Sequence, residues 1–328
     1  MIPGFFFSYT AYTPDGQTMK QSILVLLFAC TVTMQGRTQG CSDAGFCTMG
    51  AMKPDQPFNR KIDFRLRTME ITFYRGSTPL TPVVFVASAD FNFSLNNRTS
   101  FQLKLPYQLV KGTLGETSGL GDVSLCFTRS IIKTSGFDVN VSLGGKIPTN
   151  GADKSSEGRP LPMYYQSSLG SFDFVTGISL ISRRWLLATG IQHPFNRNDN
   201  AFTWSAWEGS DQSPAYIAKY APAKRLKRGT DIMLRVERNF RFSRLNLSIG
   251  VLPIYRINSD RIENRDGEIV KPDGASGLAL SGIVTAGYQF NVRNGVKLLF
   301  GNKIIQREHN PDGLTREAVT TIGYFYRF

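Results

Sequence analysis

The sequence predicts an all-β fold, a single closed antiparallel transmembrane β-barrel of about twelve strands, on three observations. Apolar and polar residues alternate over stretches of about ten residues or more, the length that a tilted membrane strand needs. Short and long connectors alternate along the chain. Beyond residue 32, no apolar run approaches the ~18–20 residues that a helical span requires. Ordinary globular strands average only about five or six residues, which disfavours a soluble sandwich.

The N-terminal region reads as a secretory signal. Lys20 precedes an apolar run from Ile23 to Val32, and small and polar residues follow. We interpret residues 1–18 as an upstream extension and residues 19–40 as the signal peptide. The mature chain is then expected to begin near Cys41, although Gly36 is an alternative last signal residue. Residues 41–60 are expected to lie in the periplasm or the barrel lumen, and residues 61–328 to form the barrel.

The four cysteines have separate interpretations. Cys30 lies in the signal, and a lipoprotein cleavage box around it is disfavoured by Phe28. In an exported protein, Cys41 and Cys47 could close a small disulfide loop. Metal binding by these two thiols is less favoured, because no histidine lies near them. Cys126 falls within a strand pattern and is expected to be a buried free thiol. We predict no metal and no cofactor.

Twelve segments alternate clearly enough to be predicted as strands. In residues 137–147, Phe137, Val139 and Val141 share one face while Asp138 and Asn140 lie on the other. The predicted strands are 61–75, 82–95, 98–109, 119–132, 137–148, 170–182, 184–195, 229–242, 244–257, 278–292, 295–307 and 315–328.

The connectors fall into two classes. Five are tight turns, at 96–98, 133–136, 182–184, 243–244 and 293–295. Four are long, at 110–119, 149–169, 196–228 and 258–277, with a modest loop near 76–81 and a medium one near 308–314. Short periplasmic turns and long extracellular loops are typical of barrels in the outer membrane of Gram-negative bacteria. We therefore predict that location.

The last segment, TIGYFYRF at 321–328, is predicted to close the barrel. Hydrocarbon offers no partner for a free N–H or C=O group, so a sheet in a membrane must have no edge and the last strand must pair with the first. In this strand Tyr324, Tyr326 and Phe328 would face lipid, and Phe325 and Arg327 would face the interior.

The same eight residues resemble the C-terminal recognition signal of outer-membrane barrels. The matching residues are Thr321, Gly323, Tyr326 and Phe328. This resemblance implies the barrel-assembly machinery as a partner.

Two motifs point to a family. The stretch from Leu-Pro-Tyr to Gly-Leu-Gly-Asp at 105–122 and the Lys-Ile-Pro-Thr at 146–149 resemble the barrels named for the MetA pathway of phenol degradation, which are related to the FadL-like transporters. The residues that carry the resemblance are Pro106, Gly119, Gly121, Asp122 and Pro148. It implies passive uptake of small hydrophobic or aromatic molecules. The Asn-Pro-Ala hatch motif is not found, so a FadL-like plug is not implied.

Considered without the family, these residues have structural interpretations. Pro106 and Pro148 would lie at strand ends, where a missing N–H group does little harm. Gly119 and Gly121 would permit a bend, and Asp122 could hold loop amides or contact a basic side chain in the lumen. We favour structural roles over ligand contact.

The inward-facing polar residues are the candidates for lining the lumen. They are Lys104, Asp138, Asn140, Lys146, Asp173, Arg235, Glu237, Arg241, Asn246, Lys297, Lys303 and Arg327. Basic residues outnumber acidic ones. Either the charges pair across a narrow barrel, which we favour, or the surplus attracts anions. An anion-leaning porin-like channel and a structural or accessory barrel without transport are thus the alternatives to hydrophobic uptake.

An enzyme is not predicted. Outer-membrane phospholipases use a histidine–serine arrangement, whereas His193 has no serine two residues away and His309 lies in a loop. The aromatic residues of 196–228 could form a ligand mouth, but we favour a membrane-interface belt whose basic residues meet lipopolysaccharide phosphates.

The formal net charge of +13 raises nucleic acid as a partner. Because no basic helix or nucleic-acid-binding signature is present, we predict none. A basic surface facing membrane phosphates fits better. The expected partners are outer-membrane lipid, lipopolysaccharide and an unidentified small molecule.

Overall fold

The computed structural model describes Met49, Met52, Lys53 and residues 65–328. The interpretations of residues 1–18 and 19–40, most of 41–60, and the disulfide between Cys41 and Cys47 lie outside the described residues. No helix among the described residues is long and apolar enough to span a membrane.

Seventeen strands are formed by the described residues. They are β1 Arg65–Ser77, β2 Val83–Ser94, β3 Thr99–Gly112, β4 Gly115–Leu120, β5 Val123–Lys133, β6 Phe137–Ile147, β7 Ser155–Ser156, β8 Arg159–Pro160, β9 Asp173–Ser182, β10 Trp185–Pro194, β11 Asp231–Arg241, β12 Leu245–Arg256, β13 Ile262–Glu263, β14 Ile269–Val270, β15 Gly277–Gln289, β16 Asn294–Ile305 and β17 Ala318–Arg327. A short helix, α1, spans Pro214–Ile217, and 3₁₀ turns span Met163–Tyr165 and Ser205–Trp207.

Twelve strands close into an antiparallel barrel, as predicted. β4 leads into β5 through Gly121 and Asp122, and the two serve as one barrel strand beside β3. Closure comes from β1, which pairs with β2 on one side and with β17 on the other. The remaining short strands form hairpins within loops. With β1 and β17 paired, the barrel has no free edge, as hydrocarbon requires.

The two ends of the barrel differ. The turn end carries the five tight turns together with the start of β1 and the end of β17. The loop end carries the connectors 78–82, 148–172, 195–230, 257–276 and 306–317.

The prediction of a long loop at 110–119 is wrong. β3 and β4 continue as a hairpin through this segment, with Val110 paired to Thr117 and Gly112 to Gly115. The glycine content suggested a loop, but Gly115 adopts a φ of 142° that turns the chain sharply.

The expectation that Pro106 lies at a strand end is wrong, because this residue lies inside β3. Pro106 lies opposite the break between β4 and β5. At this level the Gly121 N–H donates to the Pro106 carbonyl at 2.9 Å. The proline is tolerated because the neighbouring strand is interrupted at the same level. Pro148 follows the end of β6, as expected.

Alternation sets the two faces of each strand. On β12, the outward Leu245 and Ile249 are exposed while Ser248 between them is buried. An apolar exterior is what a lipid environment demands.

Candidate functional site

The barrel interior contains an apolar cluster. Met49 and Met52, which precede β1 in the chain, are buried there. A β-carbon at Gly177 of β9 would lie 2.9 Å from the Met52 sulfur. The barrel side chains of this cluster are Cys126, Val175, Ala188, Met233, Leu252 and Ile283. Cys126 is a buried free thiol, as predicted. Residues before β1 thus fill part of the lumen.

Lys53 reaches a charged region of the interior. Its Nζ lies 2.7 Å from Oδ2 of Asp90 and 3.0 Å from Oε2 of Glu70. Gln102 donates to Asp90 at 2.7 Å, and Lys297 Nζ lies 3.7 Å from Glu70. Water screens these charges weakly inside a closed barrel, so the attraction is stronger than at a surface. Lys53 therefore ties the N-terminal residues to β1 and β2.

An inner cavity of about 180 Å³ borders this charged cluster. Apolar side chains such as Leu299 and Leu314 line it together with hydroxyl groups. Ser167 and Thr285 line it too, and their buried hydroxyl oxygens make no hydrogen bond within the described residues. Buried hydroxyls without partners cost free energy, so a bound polar group or water would be stabilised here.

Two loop segments, here called the roof, cover the inner cavity from the loop end. They are the 3₁₀ turn at 163–165 and residues 311–315. Gly313 has a φ of 65°, and a β-carbon there would lie 2.6 Å from the Tyr164 nitrogen. The two backbones approach so closely that only glycine fits at this position.

A buried ion-pair network anchors the roof. Arg256 lies 2.7 Å from Asp231 and 2.8 Å from both Asp260 and Asp312, and Arg307 lies 3.5 Å from Asp312. Burial raises the pKa of Asp312, but the two guanidinium groups outweigh it and hold the pKa well below its usual range. Asp312 is therefore ionised at neutral pH and binds the roof to β12.

The prediction that the aromatic residues of 196–228 form a membrane-interface belt is wrong for most of them. Phe202, Trp207 and Tyr220 are buried in a cluster with Tyr164 and Tyr165 of the neighbouring loop. The loop folds inward over the barrel, which removes these rings from lipid.

The basic run at the end of this loop is also engaged within the protein. Lys224 lies 2.8 Å from Glu263, and Arg228 is buried in an ion pair with Asp173. Arg228 therefore holds the loop to β9 of the barrel, and Lys224 holds it to the neighbouring 257–276 loop.

An outer vestibule of about 670 Å³ lies on the far side of the roof. Trp204, Leu80, Ile262 and Val270 line it. Tyr164 and Met163 are neighbours in the roof, yet the first lines this vestibule and the second lines the inner cavity. The roof is thus a thin partition between the two spaces.

A third space of about 450 Å³, the turn-end vestibule, lies at the opposite end of the barrel. Arginine, serine, threonine and asparagine side chains dominate its lining.

The twelve predicted lumen residues divide among these regions. Lys104 and Lys297 line the inner cavity, while Asp138, Asn140 and Arg241 line the turn-end vestibule.

Other predicted lumen residues form contacts inside the barrel. Lys146 lies 3.5 Å from Asp122, Asp173 pairs with Arg228, Arg235 pairs with Glu237, and Lys303 donates to Gln306. Arg327 stacks 4.9 Å from the Phe325 ring, and Asn246 is half-buried.

Among the family-like residues, Asp122 has the clearest role. Ser168 donates to it at 2.6 Å, the Leu169 amide at 3.4 Å, and Lys146 lies 3.5 Å away. It therefore joins the 148–172 loop to β6. Pro106 and Gly121 line the inner cavity, and Gly119 lies at the end of β4.

The residues of the assembly-signal resemblance lie on β17 and just after it. Thr321 and Gly323 line the inner cavity, and the Tyr326 and Phe328 rings meet edge to face at 4.9 Å. Their recognition by assembly machinery stays a prediction.

Neither histidine lies in the lumen clusters described above. His193 is exposed, and its Nδ1 lies 2.8 Å from the Thr230 hydroxyl. His309 lines the outer vestibule.

Sequence reasoning missed Lys53, Glu70 and Asp90. Glu70 and Asp90 could have been found, because both occupy inward positions of alternating segments. Lys53 had no such signal, since it precedes the first strand and no periodicity places it.

Comparisons with known proteins support the fold. No protein-family model and no curated protein matches the sequence. The COG4313 outer membrane channel from Pseudomonas putida F1 is similar in structure, with a TM-score of 0.56 and 14% identity over 84% of this chain and 100% of that one. At this identity the similarity shows the fold alone.

More distant similarities were also found. The NanC porin has a TM-score of 0.44 and 8% identity over 80% of this chain and 98% of that one. The outer membrane phospholipase A from Escherichia coli has a TM-score of 0.39 and 9% identity over 80% of this chain and 94% of that one. A channel and an enzyme both appear at this distance, so neither bears on activity here.

Proposed function

We propose that this protein is a channel in the outer membrane of a Gram-negative bacterium that lets small molecules with an apolar or aromatic body pass down their concentration gradient. The observation that carries the proposal is the set of three spaces: the outer vestibule among the loops, and the inner cavity and the turn-end vestibule inside the barrel. The roof between the first two spaces consists of loop residues, and Met49 and Met52, which precede β1, fill part of the lumen; a shift of either leaves the barrel's strand pairing intact.

The lining of the outer vestibule supports an apolar or aromatic substrate. Trp204, Leu80, Ile262 and Val270 offer apolar surface there, and small-molecule sites are typically apolar with a few polar groups. The inner cavity continues this pattern, with Leu299 beside hydroxyl groups.

An uptake assay tests the proposal. The protein is expressed in a Gram-negative host, whose lipopolysaccharide slows hydrophobic probes, and entry of N-phenyl-1-naphthylamine is followed by fluorescence. Expression should speed entry several-fold. Asp312→Asn should speed it further, because it weakens the roof. Arg265→Gln, which removes an exposed loop charge, is the matched control and should change nothing.

A planar bilayer recording separates the alternatives. A steady current with strong anion preference and unchanged probe entry would favour an anion-leaning pore, which the arginines of the turn-end vestibule support. No current and no probe entry in wild type and Asp312→Asn alike would favour an accessory barrel without transport.

A further inference from the structure

The barrel's positive charge is concentrated at its turn end. In the terminal three residues of each strand on this side and in the tight turns, the described chain carries ten basic residues and only one acidic residue, Asp138. The basic residues are Arg65, Arg67, Arg98, Lys133, Arg183, Arg184, Arg241, Arg244, Arg293 and Arg327.

Several of these arginines surround a cavity. Arg67, Arg98, Arg183 and Arg241 line the turn-end vestibule of about 450 Å³, where Asp138 is the one acidic residue among the described residues of the lining. Arg98, Arg183 and Arg241 are exposed and form no ion pair with any described residue. At the loop end, by contrast, Arg228 and Arg256 are neutralised by buried carboxylates.

A buried hydroxyl adds a second, independent observation. Ser130 lines the same vestibule and is only 7% exposed, yet its Oγ has no hydrogen-bond partner among the described residues. Asn140 is buried beside it in the lining. Neutral donors set among guanidinium groups are the combination that an oxyanion requires.

We infer that the turn-end vestibule is a binding site for a phosphate or carboxylate group. Guanidinium groups present a planar fork that matches these oxyanions in two parallel hydrogen bonds. A cleft lined by one sign of charge also raises the local concentration of its counter-ion. The phosphate could belong to a soluble molecule or to a lipid headgroup. The site does not depend on transport, because binding at equilibrium needs no open passage.

Equilibrium binding of pyrophosphate tests the site. Calorimetric titration of the purified full chain in neutral detergent at low salt should show saturable binding. The triple change Arg98→Gln, Arg183→Gln and Arg241→Gln should weaken it by about tenfold or more, because charge-assisted hydrogen bonds are lost.

The matched control is Arg184→Gln, Arg244→Gln and Arg293→Gln. These arginines lie in tight turns at the same end of the barrel and their replacement removes the same charge, but they do not line the vestibule. The control should weaken binding by less than about threefold. Equal weakening by both triples, or no binding by the wild type, would overturn the inference. Heat-modifiable migration in gels confirms that each variant is folded.

Two further measurements sharpen the result. Ser130→Ala, which leaves the arginines in place, should weaken pyrophosphate binding severalfold, and an unchanged affinity would count against the site. In nanodiscs, phosphatidylglycerol that competes with pyrophosphate identifies a lipid source, while undisturbed binding identifies a soluble one. Either result supports an oxyanion site.

Discussion

The two ends of this barrel hold charge in opposite ways. At the loop end, Arg256 and Arg228 are buried and bonded to carboxylates that come from different segments. At the turn end, Arg98, Arg183 and Arg241 are exposed around a cavity, with no ion pair among the described residues. Both ends contain arginine, so residue type does not explain the difference.

The connectors explain it. Loops of twelve or more residues bring their own acidic side chains back to the barrel, and the Asp260 and Asp312 carboxylates meet Arg256 in this way. Turns of two to four residues cannot fold back, so their charges stay at the rim. The loop end is consequently closed by internal ion pairs, and the turn end is left able to attract anions.

The largest difference in stability should appear when an arginine is replaced by glutamine at each end in turn. Arg256→Gln leaves three buried carboxylates short of a partner and should destabilise the loop end by about 3–5 kcal/mol. Arg241→Gln at the turn end should change stability by less than about 0.5 kcal/mol. Amide hydrogen exchange in the 306–317 loop measures the difference. Equal exchange in both variants would contradict the contrast between the ends.

Removal of the Lys53 charge should loosen the residues that fill the lumen. Lys53→Gln removes hydrogen bonds to two carboxylates, worth about 1.5–3 kcal/mol for a charged group. The readout is the rate at which a thiol reagent modifies Cys126, in a background where Cys41 and Cys47 are serine.

We expect at least about a tenfold faster reaction of Cys126 in Lys53→Gln, since 1.4 kcal/mol corresponds to a factor of ten. Lys53→Arg should restore most of the protection. The control is Lys111→Gln, which alters an exposed lysine on the β3–β4 hairpin. An unchanged rate in Lys53→Gln would show that Lys53 does not hold the segment in place.

Acid should open the loop end before it affects the turn end. The folded pKa of Asp312 lies below its unfolded value of about 3.9, so its ion pairs contribute stability that is present above about pH 4 and lost as the pH falls through the folded pKa. Protease protection of the 306–317 loop should persist from pH 7 to about pH 4.5 and fall below pH 4. In Asp312→Asn, protection should be weaker at pH 7 and should fall less steeply below pH 4, because only Asp231 and Asp260 of the network remain to be protonated. Loss of wild-type protection near pH 6 would contradict this assignment.

Among the loop-end changes, the smallest effect should come from an exposed ion pair. Lys111 and Glu116 lie 3.0 Å apart, with side chains 54% and 55% exposed. Lys111→Ala should cost less than about 1 kcal/mol, because water screens the pair. If unfolding in lipid vesicles shows a cost comparable to that of Arg256→Gln, then burial is not what distinguishes the network around Arg256.

Much of the fold could be predicted from the sequence, and the errors are informative. All twelve predicted segments correspond to barrel strands, because alternation in a membrane strand is imposed at every position by lipid on one side. The prediction of a loop at 110–119 was wrong because glycines mark both loops and sharp hairpins. The prediction that Phe202, Trp207 and Tyr220 lie in a membrane-interface belt was wrong for another reason. Aromatic rings suit a membrane interface and a packed loop core equally well.

By itself, the sequence determined the strands, their closure through β17 and the face that each residue takes. These follow from the two-residue period and from the absence of hydrogen-bond partners in lipid, which act on each strand separately. Only the tertiary structure decided how the interior is filled. Lys53 meets Glu70 and Asp90, Asp312 meets Arg256, and the arginines of separate turns meet around one vestibule, because barrel closure brings together residues whose spacing along the chain carries no sign of it.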